Sequence, residues 1–338
     1  MEYKACVLLP VHNSEETLAD VLESIFKQTY SDFKVLVVDD GSTDGTANIL
    51  SNYKGEKLKV LRFKEKIGIV NALNWSLSEI SEEYIIRADA QVLSVPGRFE
   101  ALVNFMDKNL EVGVCGSLIA QKTVNISPQQ ITDSSITYND EIAAQMLLQN
   151  PLARGSMIIR SSVLQEKGFR LSDRFKYMED YDLWYRMLPV TKFANINLPL
   201  VYYKNGNAAT KAPNYNRDYR AEAINFYLNN LIKFGIKPTD KELKLHLDLS
   251  DLVKAKKISN PAYYKLWMDK LKEQNHTKLH FPQEAFGKFL QAKWRELFAY
   301  VLKKRNKKIV QYLRVDGKNT FSIIRFIISH RFSQLFSK

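Results

Sequence analysis

Apolar runs of strand length alternate with helical patterns between residues 5 and 88, and this alternation restricts the chain to few architectures. Strand patterns are predicted at residues 5–11, 33–38, 58–63 and 84–88, and helical patterns at residues 15–28, 46–53 and 68–80. In the first helical pattern, Leu18, Leu22 and Ile25 fall on one face. Regular alternation of strands and helices favours a mostly parallel sheet covered by helices. The predicted fold class is therefore α/β.

Two acidic segments give the strongest chemical signal in the sequence. The first, VVDDGSTDGT, places Asp39 and Asp40 directly after the second strand pattern, at the strand end where open α/β sheets bind ligands. The second, MEDYDLWYRM, begins a helical pattern with Glu179 and Asp180. Both segments also have an explanation without a ligand, because Asp is common in turns and is a good helix cap.

The order of several segments resembles the family 2 glycosyltransferases. These have the GT-A fold, a nucleotide-diphospho-sugar transferase fold with a mostly parallel central sheet flanked by helices. The segments are VLLPVHNSEETLADVLESIFKQTYSDFKVLVVDDGSTDGT, KIGIVNALNWSL, YIIRADAQVLSVPGRFE, RGSMIIRSSVLQEKGFR and FKYMEDYDLWYRMLPVTKFANINLPLVYYK. The resemblance covers residues 1–211, which we expect to be the catalytic domain. It implies an inverting enzyme that transfers a hexosyl or N-acetylhexosaminyl group.

The resemblance also implies where a UDP-sugar donor would bind. The implied donor-binding residues are Pro10, Val11, His12, Asp40, Gly68, Arg87, Asp89 and Ala90. Asp40 would accept the imide N–H of uracil, whereas Asp39 is a turn carboxylate that shapes the loop. His12 stands where relatives usually have tyrosine, either as a donor contact or as a loop residue. Arg87 either offsets the pyrophosphate charge or pairs with a nearby carboxylate.

The expected metal site departs from the family pattern. Most relatives have an Asp-Ala-Asp-Asp stretch whose third residue binds Mn²⁺ or Mg²⁺ and whose first holds the ribose, but this chain has Asp89, Ala90, Gln91 and Val92. An amide oxygen is a weaker ligand than a carboxylate for a hard divalent cation. Three outcomes are open: a weakened metal site at Asp89 and Gln91, a metal-independent enzyme that uses basic residues, and an inactive donor site. We predict the first.

Asp180 is the predicted catalytic base. In a displacement with inversion the acceptor hydroxyl must lose its proton as it attacks, and a carboxylate within hydrogen-bond reach can accept that proton. The alternative is that Asp180 only caps the helix predicted over residues 181–188, which leaves Glu179 without a role. We predict Glu179, Arg154 and Trp184 as acceptor contacts. For Trp184 packing in the core is the favoured alternative, and Arg154 stands where relatives often have a histidine.

Other reaction classes lack their sequence signatures. No GxxxxGK[ST] segment is present and no GxGxxG follows a strand pattern, so phosphate-loop hydrolysis and dinucleotide redox chemistry lack their fingerprints. Cys6 and Cys115 lie in apolar strand-like runs and fit neither a metal site nor a disulfide framework. Because nothing resembles a signal peptide, we expect the catalytic part to be cytoplasmic.

A helical region with a basic end is predicted for residues 212–338. Its helical patterns lie at residues 218–234, 239–252, 260–273, 283–304 and 307–313. Residues 284–338 contain 13 Lys or Arg and three acids, a net charge of +10 out of +12 for the chain. A basic cluster at residues 303–308 and an interrupted apolar stretch at residues 321–336 predict binding to the anionic inner face of the cell membrane. A packed helix with a solvated basic face is the alternative.

The expected function is sugar transfer from a UDP-sugar to a hydroxyl of a saccharide or lipid-linked saccharide acceptor, in the synthesis of a surface polysaccharide or glycolipid. One alternative is a non-catalytic scaffold with this fold, motivated by Gln91. A membrane adaptor is a second alternative, which would rest on the basic end alone. Nucleic acid is not an expected partner, because the basic cluster lacks a recognisable binding motif and the acidic loops oppose it.

Overall fold

The strand patterns form one mixed sheet in the computed structural model of the protein. The structure describes residues 3–53, 55–121, 123–132, 134–204, 215–253, 255, 258–303 and 315. Its strands are β1 (Ala5–Val11), β2 (Phe33–Asp39), β3 (Leu58–Arg62), β4 (Tyr84–Arg87), β5 (Val92–Ser94), β6 (Val112–Ala120), β7 (Ile136–Thr137), β8 (Ile158–Arg160) and β9 (Lys192–Tyr203). Within the described residues the strand order is β3-β2-β1-β4-β8-β6-β9-β5, and β7 pairs with β9.

The direction of β8 divides the sheet into a parallel part and a mixed part. β1 is parallel to both β2 and β4, and β3 is parallel to β2, so the expected parallel sheet is present over these four strands. β8 lies between β4 and β6 and runs antiparallel to both. The beginning of β8 therefore lies at the edge of the sheet where β1 and β4 end.

The helices of the described residues include those predicted up to residue 304, with shifted ends, and four that were not predicted, at Arg98–Lys108, Pro128–Thr132, Asn139–Gln145 and Ser161–Glu166. They are α1 (Leu18–Phe26), α2 (Thr46–Asn52), α3 (Ile69–Ser76), α4 (Arg98–Lys108), α5 (Pro128–Thr132), α6 (Asn139–Gln145), α7 (Ser161–Glu166), α8 (Glu179–Met187), α9 (Tyr215–Lys233), α10 (Asp240–Ser250), α11 (Pro261–Lys278) and α12 (Gln283–Lys303). α1 begins later than predicted because the backbone N–H groups of Ser14 and Glu15 bind the side chains of Thr46 and Asp44, at 2.8 and 3.1 Å. These bonds tie the start of α1 to the loop before α2.

The main core lies on one face of the parallel strands. Alternate residues of β1, including Val7 and Leu9, point into a cluster with the apolar faces of α1 and α4. The intervening residues of β1 and β2, such as Leu8 in β1 and Leu36 in β2, are buried on the opposite face, where α3 packs against both strands. Because both faces are covered, β1 and β2 need continuous apolar runs, which is the pattern that the sequence shows.

The chain divides into two compact units. The first contains Met1–Ile142 and Asn150–Glu222, and the second contains Ala143–Gln149 and Ala223–Lys338. The composition of the sequence changes at residue 211, ahead of this division, and no composition signal marks residues 143–149 as part of the helical unit.

The two units differ strongly in net charge. Residues 1–222 contain 25 Lys or Arg and 28 Asp or Glu, whereas residues 223–338 contain 24 and 9. The net charges are thus −3 and +15. The excess positive charge of the chain belongs to the whole helical unit and is not confined to its last residues.

The helix starts in the second unit follow from their capping residues. Thr239 forms a capping box with Glu242 at the start of α10. The side chain of Asn260 accepts a hydrogen bond from the N–H of Ala262, with Pro261 in the first turn of α11.

Within the described ranges, no helix is both long enough and apolar enough to span a bilayer. The predicted helix at residues 307–313 and the apolar stretch at residues 321–336 lie outside the described residues.

A buried histidine joins the two parts of the second unit. The His246 ring is completely buried and donates a hydrogen bond from Nε2 to the carbonyl of Leu147 at 2.9 Å. Its edges pack against Tyr227 and Trp267, with ring centroids 5.0 and 5.9 Å away. Burial lowers the pKa of His246 from 6.5 to about 4, so the folded unit holds a neutral imidazole.

We expect this imidazole to make stability depend on pH. Between pH 6.5 and 4 the unfolded chain binds a proton that the folded chain excludes, so the free energy of unfolding should fall as the pH falls through this window. One proton corresponds to a slope of about 1.4 kcal/mol per pH unit. Urea unfolding at several pH values should show that His246→Gln loses this part of the slope, whereas substitution of the exposed His276 should not change it. An unchanged slope in His246→Gln contradicts the prediction.

Candidate active site

Polar residues follow three neighbouring parallel strands at one edge of the sheet. Val11 at the end of β1 pairs with Asp39 of β2, and Leu8 of β1 pairs with Arg87 of β4. Asp40 follows β2, and Asp89 follows β4. Since neighbouring strands lie about 4.8 Å apart, β2 and β4 are separated laterally by roughly 10 Å across β1, and β2 reaches three residues further along β1 than β4 does. This edge is where open α/β sheets bind ligands.

The loop after β2 is held in a tight conformation by its two carboxylates. Asp39 is fully buried, accepts the N–H of Ser42 through Oδ1 at 2.9 Å, and lies 3.3 Å from the guanidinium of Arg62. Asp40 accepts the N–H groups of Ile67 and Gly68 through Oδ1, at 2.7 and 3.0 Å. The loop-shaping role predicted for Asp39 thus extends to Asp40, whose Oδ1 fixes the turn before α3.

The predicted donor contacts at the end of β1 bind the same loop. The carbonyl of Val11 accepts the N–H of Asp40 at 3.0 Å, and Nδ1 of His12 donates to the carbonyl of Asp40 at 2.8 Å. Pro10 lies within β1, one residue before Val11. In this structure the residues at the end of β1, together with Gly68, therefore support the loop that presents Asp40.

A pocket of about 340 Å³ lies beside this edge, within the first unit. It is lined by Asp89, Gln91, Val92, Asn150, Arg154, Tyr177, Met178, Asp180, Tyr181, Tyr203, Tyr215 and Tyr219. Four residues predicted from the sequence, Asp89, Gln91, Arg154 and Asp180, are therefore brought together. Asp40 does not line this pocket.

Two adjacent carboxylates at the start of α8 are buried at the pocket wall. Glu179 and Asp180 are 1% and 4% exposed, and both lie in the first turn of the helix. Arg154 pairs with Glu179, and its Nε lies 3.5 Å from Oδ2 of Asp180. Nη2 of Arg87 lies 3.7 Å from Oδ1 of Asp180. The alternative in which Asp180 only caps the helix is wrong, because the helix begins at Glu179 and has no side-chain cap. Arginines, not backbone N–H groups, hold this carboxylate.

Burial and the contacts among Arg154, Glu179 and Asp180 determine the charge state of this cluster. Burial raises the pKa of Glu179 to about 7, against the opposing charge of Arg154. Desolvation would lower the pKa of Arg154, but the charges of Glu179, Asp180 and Asp89 hold it above its ordinary value. Arg154 is therefore a permanent positive charge, and its side chain is the most exposed of this cluster, at 39%.

Arg87 and a second buried arginine support the wall from behind. Arg87 does not line the pocket, and its guanidinium pairs with Asp180. Of the two roles considered for Arg87, the structure therefore has the pairing with a carboxylate. Arg98 is almost fully buried and donates to the carbonyl of Arg87 at 2.8 Å and to Oγ of Ser94 at 2.9 Å. Burial lowers the pKa of Arg98 to about 9. Its bonds fix the end of β4 just before Asp89.

The ligands available for a divalent cation at the predicted metal site are few. Asp89 accepts the N–H of Gln91 through Oδ1 at 2.9 Å, and Gln91 offers a neutral amide. In the described part of the chain, no group of three or more His, Cys, Asp or Glu side chains is placed to hold a metal ion. The remaining pocket carboxylate, Asp180, already faces two guanidinium groups. This donor set does not fit the predicted weakened metal site, and it favours the alternative that uses basic residues.

Two predicted contacts belong to the packing of the unit. Trp184 is fully buried, and its ring lies edge-on to Phe193 with centroids 6.5 Å apart. It cannot stack on a sugar from that position, so the prediction of an acceptor contact is wrong and the core alternative is correct. Ala90 is partly buried against the main core and is absent from the pocket wall.

A group of tyrosines in the pocket is not among the residues predicted from the sequence. Tyr177 packs edge-on against Tyr215 at 5.1 Å, and Tyr215 stacks on Tyr219 at 5.6 Å. Tyr203, at the end of β9, lies in the same wall. Of the contacts among these tyrosines, the sequence indicates only that between Tyr215 and Tyr219, which lie four residues apart and thus one helical turn apart in α9.

Comparisons with known proteins give the family. The model of the family described as Glycosyl transferase family 2 matches residues 6–167. EpsE of Bacillus subtilis (strain 168) is 31% identical over 206 residues, which cover 60% of this chain and 72% of that protein. An uncharacterized glycosyltransferase of Haemophilus influenzae is 28% identical over 290 residues, covering 81% of this chain and 89% of that protein.

Solved structures share the fold. TarS 1–349 of S. aureus in complex with UDP-GlcNAc has a TM-score of 0.52 at 17% identity, covering 95% of this chain and 92% of that chain. The mannosyltransferase PcManGT from Pyrobaculum calidifontis, in complex with GDP-Man and Mn²⁺, has a TM-score of 0.50 at 18% identity, covering 95% and 88%. The fold and these relatives define a glycosyltransferase with the GT-A fold. The chain belongs to glycosyl transferase family 2.

We expect the loop after β2 to tolerate no side chain at residue 41. Gly41 has φ +66°, and a Cβ there would lie 2.4 Å from the backbone carbon of Glu65. Gly41→Ala should therefore cost about 2–4 kcal/mol of stability, measured by urea unfolding. Gly68 has φ +91° with open space around it, so Gly68→Ala should cost only about 1 kcal/mol. Equal losses in the two variants would show that the close approach to Glu65 is unimportant.

Proposed function

We propose that the protein is an inverting glycosyltransferase that moves a sugar from a UDP-sugar to a hydroxyl of a saccharide acceptor. The observation that carries this proposal is that Asp180, a buried carboxylate of α8, lines the same pocket as Asp89 at the end of β4. A single displacement at an anomeric carbon needs a base within reach of the acceptor hydroxyl, and Asp180 fits that role in a pocket that also borders the donor edge at Asp89.

In this reaction the acceptor oxygen forms a bond to the anomeric carbon on the face opposite the diphosphate. The bond from that carbon to the diphosphate oxygen breaks, and its electron pair leaves with the nucleotide. The proton of the acceptor hydroxyl goes to Asp180. Arg87 and Arg154, on two sides of this carboxylate, hold its position while the proton is transferred.

The donor would lie along the sheet edge from β2 to β4. The lateral separation of roughly 10 Å between β2 and β4 suits a nucleoside whose base is near Asp40 and whose ribose is near Asp89. Since Oδ1 of Asp40 binds the N–H groups of residues 67 and 68, recognition of uracil falls to Oδ2. Relatives of the same fold have been solved with UDP-GlcNAc and with GDP-Man, so the nucleotide is itself a point to test.

The acceptor would lie on the tyrosine side of the pocket. Aromatic rings stack on the apolar faces of sugar rings, and Tyr177, Tyr215 and Tyr219 form a continuous aromatic surface there. WfgD of Escherichia coli, 24% identical over 60% of this chain and 77% of its own length, is named as a UDP-Glc:alpha-D-GlcNAc-diphosphoundecaprenol beta-1,3-glucosyltransferase. That name supports a lipid-linked saccharide as the acceptor, in the synthesis of a surface polysaccharide or glycolipid.

We expect Asp180→Asn to lower kcat by about 10²- to 10⁴-fold with little change in the KM of the donor, because proton acceptance is lost and donor contacts remain. The measurement is nucleotide release from UDP-Glc, UDP-GlcNAc and GDP-Man with a GlcNAc-diphospholipid acceptor. The matched control is Asp182→Asn, on the same helix. Asp182 pairs with Arg186 at 2.8 Å and does not line the pocket, so this variant should keep its activity.

A catalytically impaired scaffold is the second candidate, motivated by Gln91 in place of a metal-binding carboxylate. Absence of turnover with every donor and acceptor, in a protein that still binds nucleotide, would favour the scaffold. Turnover that Asp180→Asn leaves unchanged would remove Asp180 as the base.

We further propose that the helical region from residue 212 holds the enzyme on the inner face of the cell membrane, where a lipid-linked acceptor would be found. The net charge of +15 in residues 223–338 supports this, since each Lys or Arg near an anionic leaflet contributes about 1 kcal/mol.

Removing residues 304–338, which contain nine Lys or Arg and one Asp, should weaken binding to vesicles that contain anionic lipid by at least about tenfold. Cosedimentation with phosphatidylglycerol-containing vesicles measures the effect, and vesicles of pure phosphatidylcholine are the control. Equal binding of the full and shortened chains to anionic vesicles would overturn the proposal.

A further inference from the structure

Among the described residues that line the pocket, Arg154 carries the positive charge, and acids surround it. The guanidinium of Arg154 pairs with Glu179 through Nη2 and lies 3.5 Å from Asp180 through Nε. Among the described residues, none accepts a hydrogen bond from its Nη1. Glu179 and Asp180 are almost completely buried, whereas Arg154 is 39% exposed along the pocket wall. Besides the carboxylate of Asp180, the cluster therefore presents a cation to a bound molecule.

The position of Arg154 is set by the surrounding backbone. Gly155 packs so closely on Asp89 that a Cβ at residue 155 would lie 3.0 Å from the Cβ of Asp89. The turn that carries Arg154 is thus in contact with the turn that carries Asp89 and Gln91. A diphosphate bound near Asp89 would lie within reach of the guanidinium.

A divalent cation at the same place would be poorly held. Gln91 supplies a neutral oxygen, and Oδ1 of Asp89 accepts the N–H of Gln91. The fixed charge of Arg154 would repel a second cation beside it. A guanidinium offers paired N–H donors that match phosphate oxygens, so it can supply the charge that the metal supplies in other enzymes.

We propose that Arg154, rather than a divalent metal ion, neutralises the diphosphate of the nucleotide-sugar donor, and that Glu179 and Asp180 position its guanidinium. This inference rests on the proposed function, because it assumes a nucleoside diphosphate as the leaving group. When the bond between the sugar and the diphosphate breaks, the electron pair goes to the diphosphate oxygen, and the added negative charge meets Arg154. The reaction then needs no metal.

The experiment is calorimetric titration of the full chain with UDP, GDP and uridine, with EDTA and then with Mn²⁺. We expect one of the diphosphates to bind equally well, within about threefold, under both conditions. Arg154→Gln should weaken that binding by about 10- to 100-fold and leave uridine binding unchanged. The control is Arg186→Gln, because Arg186 pairs with Asp182 away from the pocket.

Two further variants keep the test decisive. Arg154→Gln leaves Glu179 buried without its partner, so Arg154→Gln combined with Glu179→Gln removes both charges and should fold while still binding UDP weakly. Gln91→Asp supplies a carboxylate, and in the Arg154→Gln background it should make binding depend on Mn²⁺.

The outcomes separate the two proposals. Diphosphate binding by the native protein that EDTA abolishes and Mn²⁺ restores overturns the role of Arg154 and leaves the proposed function intact. Metal-independent binding that Arg154→Gln does not weaken also overturns that role. Failure of both diphosphates to bind under either condition overturns the proposed function, and this inference with it.

Discussion

The burial of two adjacent carboxylates in the first turn of α8 is the constraint around which the pocket is organised. A carboxylate removed from water is unstable unless cations or donors compensate it. Glu179 and Asp180 obtain that compensation from Arg154 and Arg87, which come from the turn before β8 and from β4. The four charges therefore join three segments that are distant in the sequence. Loss of Arg154 leaves Glu179 without an ion-pair partner, and loss of Asp180 leaves the buried Arg87 without one.

The topology of the sheet makes this meeting possible. A parallel strand in the place of β8 would bring its end to this edge, and the residues before it would lie at the opposite edge. Because β8 is antiparallel, its preceding turn reaches the place where β1 and β4 end, and the N–H of Arg87 binds the carbonyl of Met157 there at 2.8 Å. The antiparallel direction of β8 thus brings Arg154 to the edge of the sheet where β2 and β4 place their aspartates.

Local patterns predicted β1–β4 and, among the described helices, α1–α3 and α8–α12, whereas tertiary contacts decided the roles of several residues. β1 was predicted with its exact bounds because its burial on both faces requires a continuous apolar run. The assembly of Asp89, Arg154 and Asp180 in one pocket followed from a resemblance that preserves segment order. The place of Trp184 depends on the position of Phe193, and the loop role of Asp40 depends on the backbone of residue 67. No local pattern contains that information.

The tyrosine surface and the boundary of the helical unit show the same limit. Tyr177 and Tyr215 are far apart in the sequence and meet only in the folded chain. Residues 143–149 have no charge or composition that marks them, and they join the helical unit through contacts such as the bond between His246 and the carbonyl of Leu147. Periodicity detects which face of a helix is apolar, but it does not identify the element that covers that face.

The contact of Gly155 with Asp89 has a consequence for how such an enzyme can evolve. The two turns that meet there contribute both the guanidinium and the pair Asp89 and Gln91, so neither turn can shift without the other. An aspartate introduced at residue 91 would lie in the turn that contacts the turn of Arg154, and loss of Arg154 alone would leave Glu179 without its ion-pair partner. Given the proposed role of Arg154, an exchange of one type of counterion for the other would therefore have to change both turns.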